Sequence, residues 1–175
     1  MKGRFSIIEV IRSTPALAFV ALAICLMPGA SLAQSKRPQK EANKKMVQQA
    51  FDKWAGGTGS FFDLFSEDVV WTITGNSPIS KTYTGRKQFM DEVIIPLNDR
   101  LSKRIVPKLK GLYAEDDMVI ALWDGKAMAR DGIAYNNTYS WYMKMKGGKI
   151  VEVVAFFDSI DLASIWSRLA VARVK

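Results

Sequence analysis

The stretch MVIALWDGKAMARDGIAYNNTYSWYMKMKGGKIVEVVAFFD, residues 118–158, decides the fold of this chain. Three runs rich in Val, Ile, Tyr, Trp and Phe, Met118–Arg130, Ile133–Met145 and Lys149–Ser159, are separated by Asp131-Gly132 and by Gly147-Gly148. β-Branched and aromatic side chains suit a pleated, half-buried surface, and Asp-Gly and Gly-Gly pairs are what tight hairpins require. The segment therefore predicts a consecutive antiparallel meander. The residues upstream of it predict elements that cover one face of that sheet.

Val47, Ala50, Phe51 and Trp54 recur at helical spacing and Gly56-Gly57 ends the pattern, which predicts a first amphipathic helix. Ser60 can cap a short helix through Phe61, Phe62, Leu64 and Phe65, and Asp68–Gly75 follows as a strand. Asn76–Ser80 is a turn and Lys81–Thr84 a short extended piece. Phe89, Val93, Leu97 and Leu101 keep the register of a third helix, which Pro96 should kink or shorten. Arg104–Tyr113 is extended, with a turn at Glu115-Asp116-Asp117. A last helix over Asp161–Val174 puts Leu162, Ile165, Trp166 and Leu169 on one side, with Arg168, Arg173 and Lys175 near its C-terminal end, where the helix dipole favours cations. Helices followed by a curved antiparallel sheet make an α+β domain.

The chain has 175 residues, enough for one domain plus extras. Its first 33 residues have the three parts of a secretory signal peptide: basic Lys2, Arg4 and Arg12, the apolar run Ala16–Met27, and Ser31-Leu32-Ala33 as a small-x-small cleavage site. That run falls short of the roughly 20 apolar residues a membrane span needs. Residues 34–45 then read as a flexible, basic lead-in containing Pro38, and residues 46–175 as the domain. The single cysteine, Cys25, lies in the leader, so the exported chain has no thiol or disulfide. Histidine is absent, which excludes Ser-His-Asp, Cys-His and His-metal mechanisms.

Of the formal charge of +8, the leader supplies +2 and the lead-in +4, leaving +2 for the domain. A basic tail on a nearly neutral domain does not predict nucleic-acid binding, which needs a basic stripe on the folded surface. The tail reads as a solvated segment that could touch anionic surfaces. No glycine-rich phosphate loop, metal-ligand cluster or nucleotide fingerprint occurs, so no cofactor is indicated.

Taken in order, Glu67-Asp68-Val69-Val70-Trp71, Tyr83-Thr84-Gly85-Arg86, Asp131-Gly132, Tyr135-Asn136-Asn137, Gly148-Lys149-Ile150 and Phe157-Asp158 resemble the SnoaL-like branch of the nuclear transport factor 2-like superfamily. The resemblance spans roughly Met46–Ile160. It implies a cone-shaped fold, in which a strongly curved mixed or antiparallel sheet wraps around N-terminal helices and encloses an apolar pocket, often in a homodimer. It implies no single function, because related proteins include isomerases, cyclases, dehydratases, hydrolases and non-catalytic binders. Ketosteroid isomerases in that superfamily use a helix-one tyrosine and acids on the first and penultimate strands, and the matching positions here are Ala50, Thr72 and Trp141. The acid of SnoaL-type cyclases corresponds to Ala155.

Which side chains face the pocket depends on register, since a slip of one residue turns a strand's whole set to the other face. A two-residue turn at Asp131-Gly132 pairs Arg130 with Ile133 and sets Leu122, Asp124 and Lys126 beside Trp141, Tyr139 and Asn137. A three-residue loop Lys146-Gly147-Gly148 sets Trp141, Tyr139 and Asn137 opposite Val153, Ala155 and Phe157. Together with Met143, Val151 and Thr72 these form the expected pocket face. Trp123, Thr138, Ser140, Tyr142, Glu152, Val154, Phe156 and Asp158 form an outer face that suits a homodimer interface.

On this register Asp124 is the candidate general acid or base, with simple pairing to Lys126 as its other reading. Asp158 is the alternative acid, or else a brace for the last helix. Tyr139 is wall or hydrogen-bond donor, and Asn137 a ligand contact or an internal strand partner. The sequence thus predicts a secreted, periplasmic protein that binds a small apolar or aromatic molecule. Catalysis through Asp124, as an isomerase, cyclase, dehydratase or hydrolase, stays open, as does an envelope protein-interaction module using the outer face and the basic tail.

Overall fold

The computed structural model describes the backbone of residues 28–170 and the side chains of residues 38–170. The leader features Lys2, Arg4, Arg12, Ala16–Met27 and Cys25 lie outside the described residues, as do Arg173, Val174 and Lys175. Helix α1 (Pro28–Gly56) passes through Pro38 and takes in the stretch expected to be a flexible lead-in. Asn43 is buried and accepts a hydrogen bond from Gln39, so packing begins ahead of Met46.

A single 3-10 turn (Phe61–Leu64) follows, closed by a capping box between Ser60 and Asp63. It leads into β1 (Phe65–Ile73) and the short β2 (Thr82–Thr84). The expected third helix is three pieces in succession: α2 (Arg86–Phe89), a π-helical segment (Met90–Ile94) and α3 (Ile95–Asp99). Pro96, which has no N–H to donate, sits at the start of the last piece. Then come β3 (Leu101–Glu115), β4 (Met118–Ala129), β5 (Ala134–Lys146), β6 (Lys149–Phe157) and α4 (Ser159–Arg168). Lys40 of α1 pairs with Glu115 at the end of β3, 3.0 Å apart.

The six strands form one sheet in the order β2-β1-β6-β5-β4-β3. The meander from β3 to β6 is antiparallel, and β1 joins β6 in parallel, so the sheet is mixed. Three register shifts between β3 and β4 bend the sheet, because a bulge adds local twist and turns the strand. The open, curved sheet folds around α1 and the α2–α3 segment, with Val47 and Phe51 buried on its concave side. This is the cone expected from the sequence.

Both hairpins differ from expectation by a residue, with opposite consequences. Ala129 N donates to Ile133 O and Gly132 N to Ala129 O, so the first loop is Arg130-Asp131-Gly132, with Gly132 at φ 83°. That three-residue loop pairs Leu122 with Ser140 and Asp124 with Thr138, which reverses the faces of β4. Leu122, Asp124 and Lys126 lie on the outer face, and Val119, Ala121 and Trp123 are buried on the inner one. The second loop is the two-residue Gly147-Gly148, both at positive φ, and a bulge at Lys144/Met145 shifts the register again. Tyr139 therefore faces Phe157 and Trp141 faces Ala155. Two one-residue changes cancel in parity, so β5 and most of β6 keep their expected faces, while Ile150 replaces Val151 on the inner side.

The choice of register has a clear energetic reason. The expected face of β4 would bury two charged side chains, Asp124 and Lys126, at a desolvation penalty of several kcal/mol per ion. The observed face buries Trp123 instead, and full burial of a large apolar side chain contributes about 1.5–3 kcal/mol.

Candidate functional site

The concave side of the sheet, the end of α1 and the α2–α3 segment enclose a cavity of about 530 Å³. Its floor is aromatic. Trp71 comes from β1, Trp123 from β4, Tyr139 and Trp141 from β5, and Phe89 from α2, all of them buried. Gly57, Gly59 and Ser60 after α1, Arg104 packed beside Gly57, and Asn98 of α3 are exposed and form the rim. Met90, Val93 and Ile94 of the π-helical segment supply one aliphatic wall.

The rings hold one another in fixed geometry. Trp123 stacks on Tyr139 with centroids 4.0 Å apart and planes at 8°, and Trp71 stacks on Phe89 at 4.3 Å and 22°. Trp141 meets Trp71 and Trp123 edge-on at 5.1 and 4.7 Å. Such pairs add about 0.5–1.5 kcal/mol each beyond the area they bury, so the wall is preformed.

Polar groups on this wall are few. Arg104 is the one charged side chain that lines the cavity among the described residues, and it is committed elsewhere. Its guanidinium donates to Trp54 O and Ala55 O, both at 2.9 Å, capping the C-terminal end of α1 with a cation. Deeper in, the hydroxyls of Tyr135 and Tyr139 lie 2.9 Å apart. Asn137 Nδ2 donates to Tyr135 Oη at 3.3 Å and to Asp158 O at 2.9 Å, while Asn137 Oδ1 accepts from Asp158 N at 2.9 Å. Burial pushes the Tyr139 phenol well above its usual range, reinforced by Tyr135, and burial also raises Tyr135. Both remain protonated donors at any physiological pH. The indole Nε1 atoms of Trp71 and Trp123 are buried without a hydrogen-bond partner among the described residues.

The residues predicted for the site divide into three groups. Tyr139, Trp141 and Phe157 line the cavity. Asn137 and Val153 face inward but are built into the structure: Asn137 is spent on Asp158 and Tyr135, and Val153 is fully buried between Trp71 and Met143 in the sheet. Thr72, Leu122 and Asp124 are on the other face, which corrects the expected pocket. Thr72 Oγ1 lies 3.0 Å from Thr82 Oγ1 across the β1–β2 pair.

Asp124 accepts a hydrogen bond from Thr138 Oγ1 at 2.8 Å and lies 3.5 Å from Lys110 Nζ, not Lys126. The Thr138 hydrogen bond, with Lys110 and Lys108 adding to it, holds its carboxyl below the usual range. A half-buried, ionised carboxylate on the convex face has no access to a ligand in the cone. Asp158, the alternative acid, is the N-cap of α4, accepting from Ile160 N at 2.8 Å.

Sequence reasoning missed Trp71, Trp123, Tyr135 and Arg104. For Trp123 the signal was present: the alternate residues Val119, Ala121, Trp123 and Gly125 carry no charge, whereas Leu122, Asp124 and Lys126 carry two. Trp71 follows from the same alternation one residue away from Thr72. Arg104 joins the site only through contacts with α1, some fifty residues earlier.

No family model matches the chain, and no curated protein matches its sequence. Solved structures do resemble it. Bal32a, from a soil-derived mobile gene cassette, is 20% identical, covers 73% of this chain and 98% of its own, and superposes with a TM-score of 0.61. An NTF2-like protein of Burkholderia thailandensis is 18% identical over 70% of this chain and 95% of its own, with a TM-score of 0.58. A SnoaL-like protein of Jannaschia sp. CCS1 is 13% identical over 75% and 95%, with a TM-score of 0.59. At these identities the likeness shows the fold alone, and that fold is the nuclear transport factor 2-like cone.

Proposed function

We propose that this protein binds a small apolar or aromatic molecule inside the cone and that binding, not proton transfer by a carboxylate, is the work of the cavity. The observation that carries this reading is the composition of the wall. A space of about 530 Å³ is enclosed by rings and aliphatic side chains, with no Asp, Glu, His or Lys among the described residues that line it. Cavities of this size and character accept small ligands, and general acid–base catalysis needs a titratable group within reach of the reacting atom. The arrangement has the donors to orient a ligand and lacks the base to deprotonate one.

Export and self-association belong to the same proposal. The leader pattern in residues 1–33 supports passage to the periplasm, where the processed chain would begin at Gln34. Tyr142 and Phe156, 39% and 46% exposed with ring centroids 5.6 Å apart on the convex face, support a homodimer through that surface.

Native mass spectrometry of the protein purified from its own envelope tests all three parts. The expected result is a dimer of chains starting at Gln34 that carries a co-purifying apolar compound. Failure of every hydrophobic ligand to quench tryptophan emission, with five tryptophans in the chain and four of them on the cavity wall, would overturn the binding reading.

A further inference from the structure

The mouth of the cavity differs in charge from its interior. Arg104, exposed and on the rim, anchors the C-terminal end of α1 with only part of its guanidinium. Nη1 donates to Trp54 O at 2.9 Å and to Ile105 O at 3.3 Å, and Nη2 donates to Ala55 O at 2.9 Å. A guanidinium has five N–H groups, so the Nε proton and the second Nη2 proton have no partner among the described residues. Gly57, beside it on the rim, keeps the approach to Nη2 open, since a Cβ at that position would stand 3.1 Å from it.

A second cation stands at the same edge. Lys53, exposed in the last turn of α1, runs its stem along the rim residue Gly59, whose added Cβ would lie 3.5 Å from Lys53 Cβ and 3.7 Å from its Cδ. Among the described residues neither Lys53 nor Arg104 has a carboxylate within ion-pair distance. Asp52, next to Lys53 in the chain, accepts a hydrogen bond from Gln48. Behind this edge the wall turns apolar at once. Trp54, whose carbonyl Arg104 holds, lines the cavity and stacks on Trp141 with centroids 6.2 Å apart and planes at 7°. Among the described residues, no lining side chain other than Arg104 carries a charge.

Resting on the binding function above, we infer that the ligand is an amphiphilic anion, an aromatic or alicyclic body with a carboxylate, seated with the body among the rings and the carboxylate at the mouth against Arg104. Nε and Nη2 share one edge of the planar guanidinium, and such an edge takes the two oxygens of a carboxylate with parallel hydrogen bonds. The bonds to Trp54 O and Ala55 O hold that edge in place before the ligand arrives. At the mouth the carboxylate keeps part of its water and so escapes the desolvation penalty of a site deeper in the cone. Lys53 adds positive potential without having to touch the ligand. Neutral molecules of the same shape keep the apolar contacts and lose the pairing, and cations are repelled.

Isothermal titration of the purified protein with one ring system carrying different groups tests this: naphthaleneacetate, naphthaleneacetamide, naphthylethylamine and methylnaphthalene. At low ionic strength the acetate should bind about ten-fold more tightly than the amide, the size expected for charge-assisted hydrogen bonds at a solvated site, and the amine should bind most weakly. Raising the ionic strength from about 0.01 M to about 1 M shortens the screening length from about 30 Å to about 3 Å, and should bring the acetate down towards the amide. Arg104→Gln should abolish the preference, with methylnaphthalene affinity kept as the sign that the variant is folded, and Lys53→Gln should reduce it in part. Because Arg104 also holds α1, the salt series on the unaltered protein decides the matter if Arg104→Gln does not fold. Equal affinity for acetate and amide at low ionic strength, or a preference that neither salt nor Arg104→Gln lowers, would overturn this inference and, with methylnaphthalene still bound, leave apolar binding intact. Failure of all four compounds to bind would overturn both.

Discussion

Trp123 on β4 and Tyr139 on β5 stand directly opposite each other across the strand pair, and their rings lie face to face at 4.0 Å with planes 8° apart. Their neighbour Gly125 leaves the space in which the two rings lie. A Cβ at Gly125 would come within 3.1 Å of Trp123 Cζ3, Tyr139 Cε2 and Ile105 Cγ2 at once. Three packed neighbours would have to give way, so Gly125→Ala should destabilise the protein by about 1–3 kcal/mol. Chemical denaturation measures it. Gly132→Ala is the contrast: the added Cβ meets nothing within 4 Å, and its cost, of order 1–3 kcal/mol, comes from backbone strain at φ 83°. Near-ultraviolet circular dichroism should change for the first variant and stay unchanged for the second.

Asp124→Asn should leave ligand affinity as it is, because its carboxylate contacts Thr138 and Lys110 on the convex face. A loss of binding in titrations with this variant would mean that β4 is turned the other way.

Asn137→Ala should destabilise more than Asp158→Ala. Removal of the buried amide strands the N–H and C=O of Asp158 and one bond to Tyr135, at about 1–3 kcal/mol for a buried group left unpaired. Removal of the Asp158 side chain takes only the cap from Ile160 N, about 0.5–2 kcal/mol. Thermal melts of both variants give the order.

Alkaline pH should weaken the fold. Tyr83 donates to Ile79 O at 2.6 Å, and burial, with the charge of Glu92 second, pushes its pKa from 10.0 up to about 12. The folded state keeps a proton that the unfolded chain has lost, so the stability linked to this group is complete below pH 10 and is lost as pH rises through about 12. Tyr139, raised by burial, acts in the same direction. Denaturation midpoints measured towards pH 12 should fall, and less steeply in Tyr83→Phe.

Phe156→Lys should give a monomer with unchanged ligand affinity. Phe156 is 46% exposed on the convex face and touches Tyr142, and neither residue lines the cavity. Sedimentation equilibrium separates the outcomes, and a wild-type protein that is itself monomeric would remove the dimer proposal.

Much of the architecture was legible in the sequence because local chemistry determines it. Gly147-Gly148 and Asp131-Gly132 mark the hairpins, Ser60 caps the 3-10 turn, and Val47, Phe51 and Trp54 state the helical stripe that packs on the sheet. The extent of α1 was less legible, since the polar residues Gln39 and Asn43 and the ion pair of Lys40 with Glu115 carry it past the expected boundary.

The sequence by itself determined the element order, the curved α+β sheet and the inward faces of Tyr139, Trp141 and Phe157. Tertiary structure decided the face of β4, because an Asp-Gly pair is compatible with a two-residue or a three-residue loop and only burial chooses between them. One residue in that loop moves Trp123 onto the cavity wall and Asp124 away from it. The same holds for the pairing of the buried polar groups. Whether a hydroxyl or an indole N–H is satisfied depends on atoms brought from β1, β4, β5 and the end of β6, and no local pattern records that sum.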